Sequence, residues 1–192
     1  QTTAYEMLRS LVGSEMCIRD RNVCEEKKKE FSPYIVYNQT EGETGDCPWD
    51  TLFFNQIHKD LFKNFCTQYK EKIAPLLFSQ FPGSYITGWF TPMVIKYHRK
   101  GQNVKLHNDT SKFTLNVKLN TEFTGCHVEF PRQKWTNKDI PKGWCFVWPS
   151  QVTHPHVAYP LISGTKYSLS SWTHPVEWDQ NKLKGSISYN EC

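Results

Sequence analysis

The sequence predicts a mainly β domain of the α+β class, a β-sandwich or jelly roll with helices packed outside one sheet. Three observations predict it. After Pro82-Gly83, β-branched and aromatic residues run in short stretches broken by Gly, Pro or Asn at the eight-to-twelve-residue spacing of an all-β fold. Before Pro82, apolar residues recur at spacings of three and four. A chain of 192 residues that is 38% hydrophobic, with 12 Phe, 9 Tyr and 7 Trp, supplies one core and leaves little room for two.

The first twenty residues stand apart. Residues 11–20 (LVGSEMCIRD) resemble the conceptual translation of a sequencing adapter, so residues 1–20 are treated as non-native and kept out of fold reasoning. Residues 21–50 read as a leader and loop region, with 38–48 (NQTEGETGDCP) combining turn-forming residues without apolar periodicity. Residues 51–192 read as the folded domain. Within it, 51–57 is ambiguous between a strand and the start of a helix. From 59 to 73, Phe62, Phe65, Tyr69 and Ile73 form one helical stripe, and Pro75, which disfavours α geometry at Ala74, is expected to end it. Strands are expected near 84–98, 103–109, 113–119, 124–130, 144–148, 152–158 and 165–173, with a substrate loop between Gln133 and Ile140.

Composition narrows the function. No run of 18 apolar residues exists, which excludes a transmembrane helix, and no stretch has the order of a signal peptide. The net charge is only +4, and the one basic run, Lys27-Lys28-Lys29, is flanked by Glu25, Glu26 and Glu30, so a nucleic-acid partner is not expected. Outside residues 1–20 the cysteines are Cys24, Cys47, Cys66, Cys126, Cys145 and Cys192. None forms a C-x-x-C pair, which argues against structural zinc and leaves disulfides and buried free thiols both open. Asn38-Gln39-Thr40 is a glycosylation sequon that leans toward the secretory route.

The chemistry concentrates in Leu106-His107-Asn108-Asp109, which precedes the strand-like FTLNVKLN of 113–120. In an extended strand residues i and i+2 face one side, so His107 and Asp109 can chelate one metal ion. A second cluster, Thr153-His154-Pro155-His156, offers a distal histidine, His154 or His156, and Lys166 follows on the next expected strand. Two histidines and one carboxylate on one face of a metal leave adjacent positions open, as in non-haem Fe(II) oxygenases. His58, His98, His127 and His174 read as packed or hydrogen-bonded histidines, and Trp144, Trp148 and Trp172 as core. No G-x-S-x-G elbow or Gly-rich phosphate loop is present.

These motifs resemble the Fe(II)/2-oxoglutarate dioxygenase superfamily, and above all the catalytic domain of the procollagen lysyl hydroxylases. The resemblance runs over residues 51–175, through Asn55-Gln56-Ile57, Ile73-Ala74-Pro75, Val94-Ile95-Lys96-Tyr97, HNDTSKFTLNVKLN, Gly125-Cys126, Pro141-Lys142-Gly143-Trp144, THPH, Pro160 and Gly164-Thr165-Lys166-Tyr167. It implies a double-stranded β-helix of the jelly-roll, cupin-like type with flanking amino-terminal helices. It also implies Fe(II), 2-oxoglutarate, ascorbate and O2, a collagen-like peptidyl lysine as substrate, residence in the endoplasmic reticulum, and a homodimer.

Carried over residue by residue, the resemblance gives His107, Asp109 and His156 as metal ligands, leaving His154 as a neighbour. Lys166 becomes the cation for the distal carboxylate of 2-oxoglutarate, with Ser170, which shares its strand face with Ser168, and Tyr97 as further cosubstrate contacts. Animal lysyl hydroxylases usually carry Arg where this chain has Lys166, whereas collagen prolyl hydroxylases use Lys. A peptidyl prolyl hydroxylase is therefore the second reading, and a non-catalytic jelly-roll binding module the third.

Overall fold

The computed structural model describes residues 49–82 except His58, 88–90 and 92–173, together with Glu26, Phe31 and short strands at 32–33, 36–37, 44–45 and 186–188. Residues 1–20, Lys27-Lys28-Lys29, the sequon at Asn38, Cys24, Cys47, Cys192, His58 and His174 lie outside the described residues. In chain order the first strands are β1 (Ser32–Pro33), β2 (Val36–Tyr37), β3 (Thr44–Gly45) and β4 (Asp50–Phe53). The helices α1 (Phe54–Ile57), α2 (Lys59–Gln68) and α3 (Ala74–Gln80) follow. Next come β5 (Gly88–Phe90), β6 (Met93–Tyr97), β7 (Val104–His107), β8 (Phe113–Lys118), β9 (Phe123–Gly125), β10 (Val128–Phe130) and β11 (Trp135–Thr136). The chain continues through β12 (Cys145–Pro149), β13 (His156–Ala158), β14 (Leu161–Gly164), β15 (Lys166–Trp172) and β16 (Ser186–Ser188).

Two antiparallel sheets make the jelly roll. The larger has the order β1-β4-β6-β15-β8-β12 and the smaller β11-β10-β13-β7, with β14 and β9 paired beside them. Strand alternation divides the larger sheet into two chemically different faces. Val94, Leu115, Val117, Tyr167 and Leu169 turn outward and share one core with Phe54, Leu61, Phe65, Tyr69 and Leu77 of the helical layer. Each fully buried Phe or Leu there contributes roughly 1.5–3 kcal/mol relative to exposure. Thr114, Asn116, Lys166, Ser168 and Ser170 turn inward and line the space between the sheets. A second core, Val128, Phe130, Phe146, Trp148 and Ala158, closes that space on one side. The amphipathic helices thus cover one face of the sheet and free the other for polar chemistry.

Several local expectations are corrected. Pro75 does not end the helix: Tyr69–Ile73 forms a π-helical turn, the Ala74 N–H bonds the Tyr69 carbonyl, and α3 continues from Ala74 with Pro75 in its first turn. The wider register accommodates a residue with no N–H to donate, and a first-turn position needs none. The strand expected over 84–98 is divided into β5 and β6, with Pro92 between them. The strand over 103–109 ends at His107, so Asp109 stands in the following turn and not on the same strand face. The strand over 152–158 begins only at His156, so alternation does not relate His154 to His156. The 133–140 segment is pinned: Lys118 Nζ donates to the carbonyls of Lys138 and Ile140, and Asn137 Oδ1 accepts the Val128 N–H. Among the described cysteines, Cys66 is disulfide-bonded, whereas Cys126 and Cys145 are free and buried.

Candidate metal and cosubstrate site

His107 closes β7 and His156 opens β13, and the two are direct partners in the antiparallel pair. Their rings lie 4.3 Å apart between centroids. The turn after β7 brings Asp109 back to both: Oδ1 is 3.4 Å from His107 Nε2 and Oδ2 is 3.7 Å from His156 Nε2. The three donor groups all lie within 4.8 Å of one another, the one such group of metal-binding side chains among the described residues.

Each imidazole is held by the backbone. His107 Nδ1 lies 2.8 Å from the Lys105 carbonyl, and His156 Nδ1 lies 3.1 Å from the His154 carbonyl. A carbonyl only accepts, so both Nδ1 atoms carry the proton and both Nε2 lone pairs are left for an ion. Asp109 is held as well: Thr114 Oγ1 donates to its Oδ2 at 2.6 Å, and Thr114 is joined to Ser150 Oγ at 2.7 Å and Ser111 Oγ at 3.0 Å. Burial alone would raise the Asp109 carboxyl, but bonds from His107 and Thr114 and the charge of His156 outweigh it, and the group is lowered. Burial would lower His107, yet the Asp109 carboxylate outweighs that and raises it. His156, the more enclosed, is lowered by burial, which Asp109 only partly offsets. Two neutral imidazole nitrogens and one carboxylate, each oriented by a fixed neighbour, suit a ferrous ion with adjacent open positions.

A cavity of about 90 Å³ runs from this triad between the sheets to Lys166, past Thr114, Asn116, Ser168 and Ser170. Lys166 is 4% exposed. Its Nζ donates to the Cys126 carbonyl at 2.8 Å and lies 5.0 Å from the centre of the Tyr97 ring, its register partner on β6. No carboxylate forms an ion pair with it among the described residues, and burial pushes the ammonium below the usual lysine range, only partly offset by Cys126. Ser170 Oγ accepts from Asn116 Nδ2 at 2.7 Å, which leaves its own O–H to donate into the cavity.

All six residues singled out in the sequence therefore line one cavity. His154 does not: its Nδ1 meets Thr153 Oγ1 and its ring stands edge-on to Phe130. His127 stacks on Tyr159, and His98 contacts Asp50. Trp148 is core against His156, whereas Trp172, expected in the core, also lines the cavity. Thr114, Ser111, Ser150 and Asn116 carry no role in the sequence reading. The available signal is that polar Thr114 and Asn116 alternate with apolar Leu115 and Val117, marking a strand whose inner face is not a hydrocarbon core.

No protein-family model matches the chain. Human procollagen-lysine,2-oxoglutarate 5-dioxygenase 2 is 29% identical over 170 residues, covering 82% of this chain and 23% of that protein. Procollagen-lysine,2-oxoglutarate 5-dioxygenase 1 of Bos taurus is 27% identical over 165 residues, covering 79% and 22%. The chain is a relative of the procollagen-lysine dioxygenases. It spans about a quarter of the length of these curated relatives. Among solved structures, a viral collagen prolyl hydroxylase from Paramecium Bursaria Chlorella virus-1, as its 2-oxoglutarate complex, superposes with TM-score 0.63 at 18% identity, covering 90% of this chain and 96% of that one. A Trichoplax adhaerens prolyl hydroxylase bound to a hypoxia inducible factor peptide gives TM-score 0.70 at 15% identity, covering 90% and 84%. This procollagen-lysine dioxygenase relative thus has the 2-oxoglutarate oxygenase jelly roll.

Proposed function

We propose that this domain is an Fe(II)- and 2-oxoglutarate-dependent hydroxylase of peptidyl lysine, acting on collagen-like sequence. The observation that carries the reading is the convergence of His107, Asp109 and His156, joined by one cavity to a buried ammonium with no carboxylate partner among the described residues. A ferrous ion bound there would supply O2 activation coupled to decarboxylation of 2-oxoglutarate to succinate. His107 and His156 present Nε2 to it because the Lys105 and His154 carbonyls fix their tautomers. Thr114 holds Asp109 Oδ2 by its hydroxyl, so the carboxylate keeps one orientation. Lys166 binds the distal carboxylate of the cosubstrate, a charge-assisted contact strengthened by the exclusion of water, and Ser170 adds its hydroxyl. Tyr97 places its ring beneath the ammonium and shields it from solvent.

The lysine assignment is supported by the likeness to the procollagen-lysine dioxygenases. The same reading takes O2 as second cosubstrate, ascorbate as reductant, the endoplasmic reticulum as compartment and a homodimer as assembly. Lys166 in place of arginine favours the second reading, a peptidyl prolyl hydroxylase. Peptides with Gly-X-Lys and with X-Pro-Gly repeats separate the two: the lysine set is expected to stimulate succinate formation, and stimulation by the proline set alone would transfer the assignment. His107→Ala is expected to abolish metal-dependent turnover. Equal 2-oxoglutarate decarboxylation in that variant would return the protein to the non-catalytic binding module.

A further inference from the structure

Beyond the triad cavity lies a larger chamber of about 470 Å³, which meets the first at Asn116, Lys166 and Ser168 and extends away from the metal ligands. Its ionisable lining is cationic: Lys118, Lys138, Lys166 and His127 face it, and no Asp or Glu does. Lys118 spends two of its three N–H groups on the carbonyls of Lys138 and Ile140, and Lys166 has the Cys126 carbonyl. The cations feel one another. Burial and then the charge of Lys166 lower Lys118, with Asp139 outside the lining as the opposing charge. Burial, Lys138 and Lys166 lower His127 against Glu129. Enclosed like charges without a counter-charge raise the free energy of the empty chamber, and a small anion removes that cost. Asn116, Asn137, Thr124 and Ser168 add uncharged polar groups.

We propose that this chamber is a second anion site, which takes a small di- or tricarboxylate between Lys138 and Lys118 at the rim and Lys166 at the floor. It goes beyond the hydroxylase reading and does not depend on a metal. Because Lys166 borders both spaces, an anion in the chamber and the distal carboxylate of 2-oxoglutarate draw on one ammonium. Occupancy of the chamber therefore weakens cosubstrate binding, which gives the domain a response to the surrounding carboxylate pool.

The test is calorimetric titration of the metal-free protein with citrate, the metal having been removed by dialysis against a neutral bipyridyl chelator. One citrate per chain is expected, unaffected by His107→Ala, and weakened about tenfold by Lys138→Gln, the scale of one charge-assisted hydrogen bond. Lys118→Met is expected to do the same. Lys138 is exposed, so its variant folds even where removal of Lys118 loosens the 138–140 segment. No binding, binding indifferent to both lysine variants, or loss on His107→Ala would overturn the site. Inorganic phosphate binding as tightly as citrate would overturn the carboxylate class. No outcome depends on turnover, so failure of the hydroxylase reading leaves this result standing.

Discussion

Replacing Lys166 by Met separates a structural lysine from one held ready for an anion. The side chain is 4% exposed, and its ammonium has one carbonyl and one ring face but no ion pair among the described residues. Exchange of a buried charge for an apolar chain of similar length stabilises proteins by about 1–4 kcal/mol in comparable cases. The Cys126 carbonyl loses its donor in the exchange, which takes back about 1 kcal/mol. The metal-free variant is therefore expected to be between equally stable and about 3 kcal/mol more stable in urea denaturation. The cosubstrate requirement moves the other way. Loss of a charge-assisted contact of about 1.5–3 kcal/mol raises the 2-oxoglutarate concentration for half-maximal turnover by roughly ten- to a hundredfold. Stability and cosubstrate affinity thus change in opposite senses. A variant that unfolds more easily while keeping its 2-oxoglutarate requirement would show that Lys166 is a structural residue and refute the reasoning.

Thr114→Val keeps shape but removes the donor to Asp109 Oδ2 and leaves Ser111 and Ser150 without their shared partner. Metal affinity is expected to fall about tenfold or more, as for other residues that orient ligands, and the visible spectrum of the Co(II)-substituted protein should change; Ser at this position should restore both. The ligation of His107 requires loss of its proton, and its pKa is raised. Below that raised value metal affinity is expected to fall with decreasing pH, by about tenfold per unit for one displaced proton, and to level off above it in a competition titration. Gly164→Ala places a Cβ at φ +80°, 2.4 Å from the Glu122 carbonyl, whereas Gly101→Ala, at φ +88°, meets nothing within 4 Å. Both changes incur the left-handed backbone cost of about 1–2 kcal/mol, and Gly164→Ala is expected to lose clearly more in urea denaturation.

Much of the fold was legible because period-2 patterns and turn residues report directly on strands, and Phe62, Phe65, Tyr69 and Ile73 report on a helix. What escaped was set by tertiary context. Pro75 read as a terminator, yet the π turn before it moves the hydrogen bonds into a register in which its missing N–H costs nothing. The 107–109 pair was legible as a chelating pattern, but the cause assigned was wrong: a turn, not strand alternation, brings Asp109 to His107. The choice between His154 and His156 rests on sheet register, since only His156 lies opposite His107. The carbonyls of Lys105 and His154 that orient the imidazoles leave no trace in residue identity. Nor does the hydroxyl cluster of Ser111, Thr114 and Ser150, whose members are far apart in the chain.

The account stands on one ion being held by His107, Asp109 and His156 with open positions turned toward Lys166. Anaerobic titration of the protein with Fe(II) and 2-oxoglutarate tests this directly through the weak visible charge-transfer absorption of a chelated 2-oxo acid. The band is expected to saturate at one iron per chain, to need more 2-oxoglutarate in Lys166→Met, and to vanish in His107→Ala. A protein that develops no band, or keeps it at full strength without His107, contradicts the account.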